Sequence, residues 1–364
     1  MIFILAILLY LIFLSVLVRQ FIVEANYASK TKSVISVNVI VAFKNEKENI
    51  INLINDLKNQ NYNNELVKYI LINDNSTDNS LEIAQNETLN DKKFIVLNLE
   101  EDSGKKQALK YGLKYAKNEL IIHTDADVIL NKSWINTFAN YYEKTNFKLA
   151  IAPVIYTNEA SIFQKLQSLE ITNIAGITAG SALLNIPLMA NGANLAYSKD
   201  LIPTFVESIN KKASGDDMFF LEKVKTKYAN KIRFIKSHNA IVYTYAEKNI
   251  KAFFNQRIRW FGKSSSFKNP FIITVGLFTT LINLFSILGI ILTVIQPRFS
   301  HIFLLFLIIK FVAESFSSII YCKYYNKQNL IYLIPILFLI YPVYVVFIGV
   351  NSLFITPKWK NTNI

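Results

Sequence analysis

Long apolar runs and mixed apolar and polar segments divide the chain into a membrane part and a globular part. Residues 1–18 and most of 271–354 are nearly uncharged, whereas 19–270 show the mixed pattern of a folded domain. An apolar stretch of about 18 residues or more can cross a bilayer as a helix. The pattern therefore predicts one N-terminal span and three C-terminal spans, the latter at 271–295, 302–322 and 329–352. The last of these runs also fits a re-entrant or interfacial helix.

Within the mixed region, short strand patterns alternate with amphipathic helical patterns. The predicted strands are Val37–Phe43, Tyr69–Ile72, Phe94–Leu97 and a run that begins at Leu120. After the first strand, Ile50, Leu53 and Leu57 recur at helical spacing. Such alternation predicts an α/β domain with a mostly parallel, doubly wound sheet. Further along, the pattern predicts a strand at 149–154, a helix at 161–184 and a strand at 240–243.

These patterns predict four segments. They are an N-terminal transmembrane anchor at 1–22, an α/β domain at 35–250, an amphipathic interfacial segment at 251–270 and a C-terminal transmembrane region at 271–354. The first run lacks a basic start and a small-residue cleavage site, so an anchor is expected rather than a cleaved signal. Arg19, Lys30 and Lys32 follow it. The positive-inside rule then places the α/β domain in the cytoplasm.

Composition narrows the class of partner. The chain carries a formal net charge of +13 and is 52% hydrophobic. Its lysines are scattered and no nucleic-acid motif is present, so an anionic membrane surface is the expected partner and nucleic acid is not. The single Cys322 excludes an intramolecular disulfide and a Cys-rich metal site. Abundant Asn, Lys and Ile indicate an AT-rich bacterial coding sequence, which favours a bacterial inner (plasma) membrane.

Two carboxylates follow the strand that begins at Leu120. Asp125 and Asp127 are separated by one residue, directly after a buried apolar run. Ligands of open α/β sheets bind at the carboxyl ends of the strands. Oxygen ligands placed there can hold Mg²⁺ or Mn²⁺ together with substrate phosphates. The alternative is an Asp-rich turn without a ligand.

Several separated motifs occur in a characteristic order. They are Val39–Glu46, Asn73–Asp78, Gly104-Lys105, Asp125-Ala126-Asp127, Gly215-Asp216-Asp217 and Gln256-Arg257-Ile258-Arg259-Trp260. Together they resemble the membrane-anchored family 2 glycosyltransferases of the GT-A fold, which include processive polysaccharide synthases and ceramide glucosyltransferases. The resemblance covers about Val37 to Trp260. It departs from the family pattern at Ala42, Asn73 and Asp216, where the family usually has Pro, Asp and Glu.

The resemblance implies a role for each motif. The residues that would bind a UDP-sugar are Asn45, Glu46, Asp74, Lys105, Asp125 and Gln256. Asp127, with Asp125, would ligate Mg²⁺ or Mn²⁺. Asp217 would be the general base, with Asp216 beside it, and Arg259 would clamp the departing diphosphate. Gly192, Asn194 and Trp260 would meet the acceptor.

Each motif also has a structural interpretation. The Asp74 loop fits an Asx-turn, and the Asp216-Asp217 pair fits a helix N-terminus, where the helix dipole favours acidic residues. The Gln256–Trp260 segment fits an interfacial amphipathic helix, with Arg257 as an anchor. His123 is expected to be a packed strand residue rather than a ligand. Lys310 and Glu314, four residues apart within a span, are expected to pair, either to fasten this helix to a neighbour or to line a polar path from the active site.

The sequence therefore predicts inverting transfer of a sugar from a UDP-sugar to a lipid-linked or other cell-envelope hydroxyl acceptor. The reaction is expected at the cytoplasmic membrane face. One alternative is a processive polysaccharide synthase that secretes its chain through the membrane. Another is a catalytically silent nucleotide-sugar-binding scaffold. A transporter would show paired repeats and broken helices, and the sequence shows neither.

Overall fold

The computed structural model describes residues 2–29, 31–100, 103–209, 216–262, 269–295, 300–352, 358–359 and 362–363. The chain forms two compact units. The first comprises Met1–Val23, Asn158–Gly180 and Ala246–Ile364, and the second comprises Glu24–Thr157 and Ser181–Tyr245.

The helices and strands follow the predicted alternation. The α-helices are α1 (Ile2–Val23), α2 (Ile50–Lys58), α3 (Ser80–Thr88), α4 (Lys105–Leu113), α5 (Trp134–Thr145), α6 (Ile162–Leu183), α7 (Ile202–Ile209), α8 (Asp216–Tyr228), α9 (Ile250–Gly262), α10 (Pro270–Ile295), α11 (Ser300–Tyr324) and α12 (Ile334–Asn351). The strands are β1 (Val37–Phe43), β2 (Val67–Asn73), β3 (Phe94–Asn98), β4 (Leu120–His123), β5 (Ile129–Leu130), β6 (Leu149–Ile151), β7 (Val154–Thr157), β8 (Leu195–Ser198), β9 (Ile232–Phe234), β10 (Val242–Tyr245), β11 (Lys358–Trp359) and β12 (Thr362–Asn363).

The second unit is built on a seven-stranded, mainly parallel sheet. Its strand order is β3-β2-β1-β4-β8-β6-β9. Strands β1 to β4 are parallel, and β8 runs antiparallel to both β4 and β6. Strands β1, β2 and β4 are Val/Ile/Leu-rich and almost entirely buried, as expected for a sheet covered on both faces. The predicted α/β class with a mostly parallel sheet is confirmed.

One predicted strand is divided between two sheets. The run expected at 149–154 ends as β6 at Ile151, and β7 starts at Val154 in a three-stranded sheet of order β5-β10-β7. Pro153 stands at the break, where its missing N–H cannot contribute to a ladder. Its carbonyl oxygen instead accepts from Val242 N at 3.0 Å and from Asn194 Nδ2 at 2.7 Å. The proline therefore redirects the chain into the second sheet.

A buried aromatic group anchors the core of the second unit. Trp134, Phe138 and Phe147 are fully buried and belong to one cluster with strands β1, β2 and β4. Burying a large apolar side chain contributes about 1.5–3 kcal/mol, so these rings stabilise the sheet strongly. Trp134 Nε1 donates to Asn194 Oδ1 at 3.0 Å, which satisfies the one polar atom of its ring.

The first unit contains the membrane helices. Among the described residues, four helical stretches are long and apolar enough to cross a membrane: Phe3–Val23, Pro270–Ile295, His301–Tyr324 and Gln328–Asn351. One lies near the N-terminus and three lie near the C-terminus, as the apolar runs predict. These helices indicate a multi-pass membrane protein.

Two glycines allow helices of the first unit to approach closely. A Cβ on Gly180 of α6 would lie 2.6 Å from the backbone oxygen of Leu17 in α1. A Cβ on Gly176 would lie 2.4 Å from the ring of Tyr321 in α11. Small residues commonly permit such contacts between membrane helices. Helix α6 therefore packs against both α1 and α11.

The predicted pair inside α11 is formed. Lys310 Nζ lies 2.8 Å from Glu314 Oε1, and the two side chains are 1% and 27% exposed. Tyr10 of α1 donates its hydroxyl hydrogen to the same Glu314 oxygen at 2.7 Å. This confirms the pairing and extends it to a link between α1 and α11.

Candidate active site

Most of the predicted nucleotide-binding residues gather at one edge of the large sheet. Asn45 follows β1, Asp74 follows β2, and Asp125 and Asp127 follow β4. Because β1, β2 and β4 are parallel neighbours, their carboxyl ends meet at the same edge. This is the edge where open α/β sheets bind ligands.

Asp74 is a fully buried carboxylate at this edge. Its Oδ1 accepts from the backbone N–H of Gly104 at 2.6 Å, whereas its Oδ2 is buried without a hydrogen-bond partner among the described residues. Gly104 has a φ of +105°, a conformation that favours glycine, and open space surrounds the place of a Cβ. A buried acceptor without a donor costs about 1–3 kcal/mol. A ligand N–H reaching Oδ2 would remove that cost.

The turn after β1 is bonded to the turn after β2. Asn45, at a φ of +53°, donates its backbone N–H to Ser76 Oγ at 2.9 Å. Its side-chain Oδ1 accepts from Thr77 N at 2.8 Å. Glu46 N donates to Ser80 Oγ at 2.7 Å. Asparagine tolerates the left-handed conformation that this turn requires. These bonds give Asn45 a role in shaping the edge.

The Asp-x-Asp pair carries a concentrated negative charge. Burial of Asp127, together with the charges of Asp125 and Glu46, raises the pKa of its carboxyl group to about 6. Lys105 Nζ lies 2.5 Å from Asp125 Oδ1, and both side chains are about one-third exposed. Neighbouring carboxylates that repel one another are a suitable donor set for a divalent cation, which would relieve that repulsion.

A metal at this edge would draw few ligands from the described residues. Within the described part of the chain, no group of three or more His, Cys, Asp or Glu residues is arranged to hold a metal ion. Mg²⁺ commonly takes one or two carboxylates and completes its shell with water and substrate phosphates. Asp127 and Asp125 fit that type of site.

The predicted base lies beside a predicted acceptor residue. Asp217, in the first turn of α8, accepts from Gly192 N at 3.2 Å through Oδ2 and from Met218 N at 2.8 Å through Oδ1. The helix N-terminus favours a charged carboxylate at this position. The side chain of Asp216 and the whole of Gly215 lie outside the described residues.

Two other polar residues near the edge are packed inside the domain. Asn194 is fully buried, and its amide bonds Trp134, Pro153 and the backbone oxygen of Ala240. Its side chain therefore joins the two sheets and has no exposed surface to offer an acceptor. Burial, with the charge of Lys105, lowers the pKa of His123 to about 3. The His123 ring bonds Tyr197 at 2.9 Å, which confirms it as a packed strand residue.

The Gln-x-x-Arg-Trp motif lies on α9, in the first unit. Gln256 Nε2 donates to Glu247 Oε1 at 3.0 Å, and Arg259 and Trp260 are half-buried. The expectation that Arg257 is an interfacial anchor is wrong, because its side chain is buried and paired with Glu170. Sequence reasoning missed Glu170, although it is the only acidic residue of α6.

The family of the globular domain follows from its sequence. Residues 38–204 match the sequence model of the family described as Glycosyl transferase family 2. The matched segment contains the Asp74 loop and the Asp-x-Asp pair, and it ends before Asp217 and α9. This protein therefore carries a family 2 glycosyltransferase domain.

Two curated relatives resemble part of the chain. Poly-beta-1,6-N-acetyl-D-glucosamine synthase of Staphylococcus aureus (strain COL) is 31% identical over 155 residues, which is 41% of this chain and 35% of that protein. Glycosyltransferase GlyG of Streptococcus pneumoniae is 30% identical over 115 residues, which is 32% of this chain and 38% of that protein. The chain thus matches little more than a third of the length of these relatives.

A solved structure resembles nearly the whole chain in fold. It is the mannosyltransferase PcManGT from Pyrobaculum calidifontis in complex with GDP-Man and Mn²⁺, with a TM-score of 0.54 and 13% identity. The alignment covers 93% of this chain and 95% of that one. At this identity the likeness concerns the fold alone, and it agrees with the GT-A class.

Proposed function

We propose that this protein transfers a sugar from a UDP-sugar to a hydroxyl group of a lipid-linked or other cell-envelope acceptor. The reaction takes place at the cytoplasmic face of a bacterial plasma membrane and inverts the anomeric carbon. The observation that carries the proposal is Asp74. One of its oxygens accepts the backbone N–H of Gly104, and the other, at the carboxyl-end edge of the sheet, is buried without a hydrogen-bond partner among the described residues. A carboxylate oxygen in that position accepts the N–H of a uracil ring.

The charged groups at the edge suit a diphosphate. Lys105 supplies a cation at the N-terminus of α4, where backbone N–H groups also favour phosphate. A Mg²⁺ or Mn²⁺ ion held by Asp127 with Asp125 would supply Lewis-acid stabilisation of the departing diphosphate. The mannosyltransferase structure is a complex with GDP-Man and Mn²⁺, which supports this type of donor site.

Asp217 is proposed to be the base of a single displacement. The acceptor hydroxyl oxygen attacks the anomeric carbon while the bond from that carbon to the diphosphate oxygen breaks. The hydroxyl proton passes to the Asp217 carboxylate, which backbone N–H groups hold in place. Attack opposite the leaving group inverts the anomeric carbon. The roles of Arg259 with the diphosphate and Trp260 with the acceptor rest on the sequence motif alone.

A processive polysaccharide synthase is the second candidate. The Staphylococcus aureus relative, a poly-beta-1,6-N-acetyl-D-glucosamine synthase, supports this candidate. The choice between the two candidates depends on the acceptor.

One experiment tests both candidates. Purified membranes are incubated with a panel of radiolabelled UDP- and GDP-sugars, and lipid-extractable products are separated from polymer. Label from a UDP-sugar in the lipid fraction is the expected result. Label in long polymer alone would establish the synthase. Tight UDP binding without incorporation of any sugar would favour a silent scaffold.

A further inference from the structure

A buried ion pair fastens the helix that carries the Gln-x-x-Arg-Trp motif. Arg257 of α9 places Nη2 at 2.7 Å and Nε at 3.3 Å from Glu170 Oε2 on α6. The two side chains are only 2% and 7% exposed. Both residues belong to the first unit. The guanidinium is thus removed from solvent and neutralised by one carboxylate.

Tyr344 of α12 completes a triad with this pair. Its hydroxyl donates to Glu170 Oε1 at 2.9 Å and accepts from Arg257 Nε at 3.1 Å. Each polar group of the triad therefore bonds the other two. We call Arg257, Glu170 and Tyr344 the Arg257 triad. It joins α9 to α6 and α12 at one point.

The triad touches two side chains of the motif directly. The Arg257 guanidinium carbon lies 4.2 Å from the centre of the Trp260 ring and 4.7 Å from that of Phe253. Arg257 Nη1 donates to Gln256 Oε1. A guanidinium stacked on aromatic rings is held in one plane, and it holds those rings in turn. The orientations of Gln256 and Trp260 are therefore set by Arg257.

Stability alone is a weak explanation for such an arrangement. A buried ion pair often stabilises a fold no better than apolar residues of similar volume would. The ion pair instead fixes the orientation of the Arg257 side chain, because a guanidinium group bonded on two sides can adopt one orientation. Helix α9 has other apolar contacts, such as Phe253 on Phe163 and Phe254 on Phe347, that tolerate rotation more easily.

We propose that Glu170 and Tyr344 are positioning residues for sugar transfer. Through Arg257 they fix the orientation of Trp260 and Gln256, and neither needs to touch a substrate. This inference rests on the proposed function, since it concerns the motif that the function uses. Misplacing a reacting group by about 1 Å can reduce turnover about 100-fold.

Two variants disturb the triad to different degrees. Glu170→Gln keeps the shape but leaves the Arg257 charge without its carboxylate. Tyr344→Phe removes only a hydroxyl group and keeps the ion pair, so it serves if the first variant does not fold. Glu159→Gln is the matched control. Glu159 pairs with Lys327 at 2.6 Å, is similarly buried in the same unit, and also bonds Ser168 of α6, and neither partner belongs to the motif.

Three measurements are made on each full-length variant in detergent. They are the turnover number for transfer, the affinity for free UDP, and acrylamide quenching of tryptophan fluorescence in a Trp359→Phe background. Trp134 is fully buried, so quenching in that background reports mainly Trp260. Quenching needs no activity and therefore tests the triad independently of the proposed function.

The triad variants are expected to lose turnover by about 10- to 100-fold. Their quenching should rise and their UDP affinity should stay close to that of the parent protein. Glu159→Gln should match the parent in all three measurements. Triad variants with full turnover and parental quenching would overturn the inference and leave the proposed function intact. If the parent transfers no sugar, the proposed function fails, and quenching alone then decides whether the triad holds Trp260.

Discussion

At the scale of single residues, the proposed nucleotide-binding role depends on the two carboxylate oxygens of Asp74. Its Oδ1 is occupied by Gly104 N–H, while its Oδ2 is buried without a partner among the described residues. Protein interiors rarely leave a buried acceptor unused, so we expect a ligand donor to reach this oxygen. Asp217 differs, because both of its oxygens accept backbone N–H groups beside Gly192. The two carboxylates are therefore expected to serve different substrates.

Substitution separates these two roles. Asp74→Asn can keep its oxygen on Gly104 N–H, but it places an NH₂ donor where the uracil N–H would bind. UDP affinity should fall by about 10- to 100-fold, the range for a hydrogen bond to a charged group. Asp217→Asn should reduce turnover by about 100- to 10,000-fold and leave UDP affinity near that of the parent. Calorimetric titration of UDP into both variants checks this, and equal losses of affinity would contradict the division of roles.

Asp127 provides the test of the metal site. Asp127→Asn should reduce metal-dependent turnover by about 100-fold or more, because it removes a carboxylate expected to hold the cation that stabilises the leaving group. Weaker Mn²⁺ binding, followed by electron paramagnetic resonance, should accompany the loss. Asp200→Asn removes a half-exposed carboxylate that pairs with Lys148 in the same unit, and it should change neither quantity. Parental activity of Asp127→Asn with Mg²⁺ or Mn²⁺ would exclude the site.

At the scale of elements, the sequence predicts the apolar strands and helices better than it predicts the polar contacts between distant residues. Strands β1 and β2 and the membrane helices are visible in the sequence because burial on both faces, or in lipid, requires continuous apolar residues. The positions of the Asp74 and Asp127 loops can also be predicted, because each loop comes directly after a predicted strand. The pairing of Arg257 with Glu170 does not, since these residues are 87 positions apart and meet only because α6 packs against α9. Pro153 indicates a break in the strand, but the sequence does not show that the next strand, β7, pairs with β10 in a second sheet.

The contact of α6 with α1 gives a prediction at this scale. Alanine normally suits a helix better than glycine by about 1 kcal/mol. At Gly180, however, the added Cβ would lie 2.6 Å from the Leu17 backbone oxygen, so the helices must separate. Gly180→Ala should therefore lower stability by about 1–3 kcal/mol. Gly289→Ala in α10 is the control, because its nearest neighbour lies at 3.8 Å. Thermal denaturation in detergent should rank the control at or above the parent and Gly180→Ala below it.

At the scale of the whole molecule, the chain combines a globular α/β unit with helices that are long and apolar enough to cross a membrane. The chain carries a formal net charge of +13, and anionic lipid surfaces attract basic segments. Within the membrane helices, polar residues are costly and usually face protein or water. Lys310 and Glu314 therefore indicate a place where α11 is covered by other parts of the first unit, and Tyr10 of α1 contributes to that cover.

The Lys310–Glu314 pair could hold α1 against α11 or could contribute to acceptor transfer, and substitutions distinguish these two roles. Each charge costs about 2.5–3.5 kcal/mol to insert, so a single Lys310→Met change leaves an isolated Glu314 and should reduce expression and stability. The double variant Lys310→Met with Glu314→Met removes both charges and should insert and fold, although Tyr10 loses its acceptor. If the pair only fastens α1 to α11, the double variant transfers sugar to the native acceptor at close to the parental rate. If the pair contributes to an acceptor path, the double variant inserts and still hydrolyses the UDP-sugar but does not transfer. The salt bridge and the Tyr10 bond lead us to expect the first outcome, measured as turnover per folded protein in membranes.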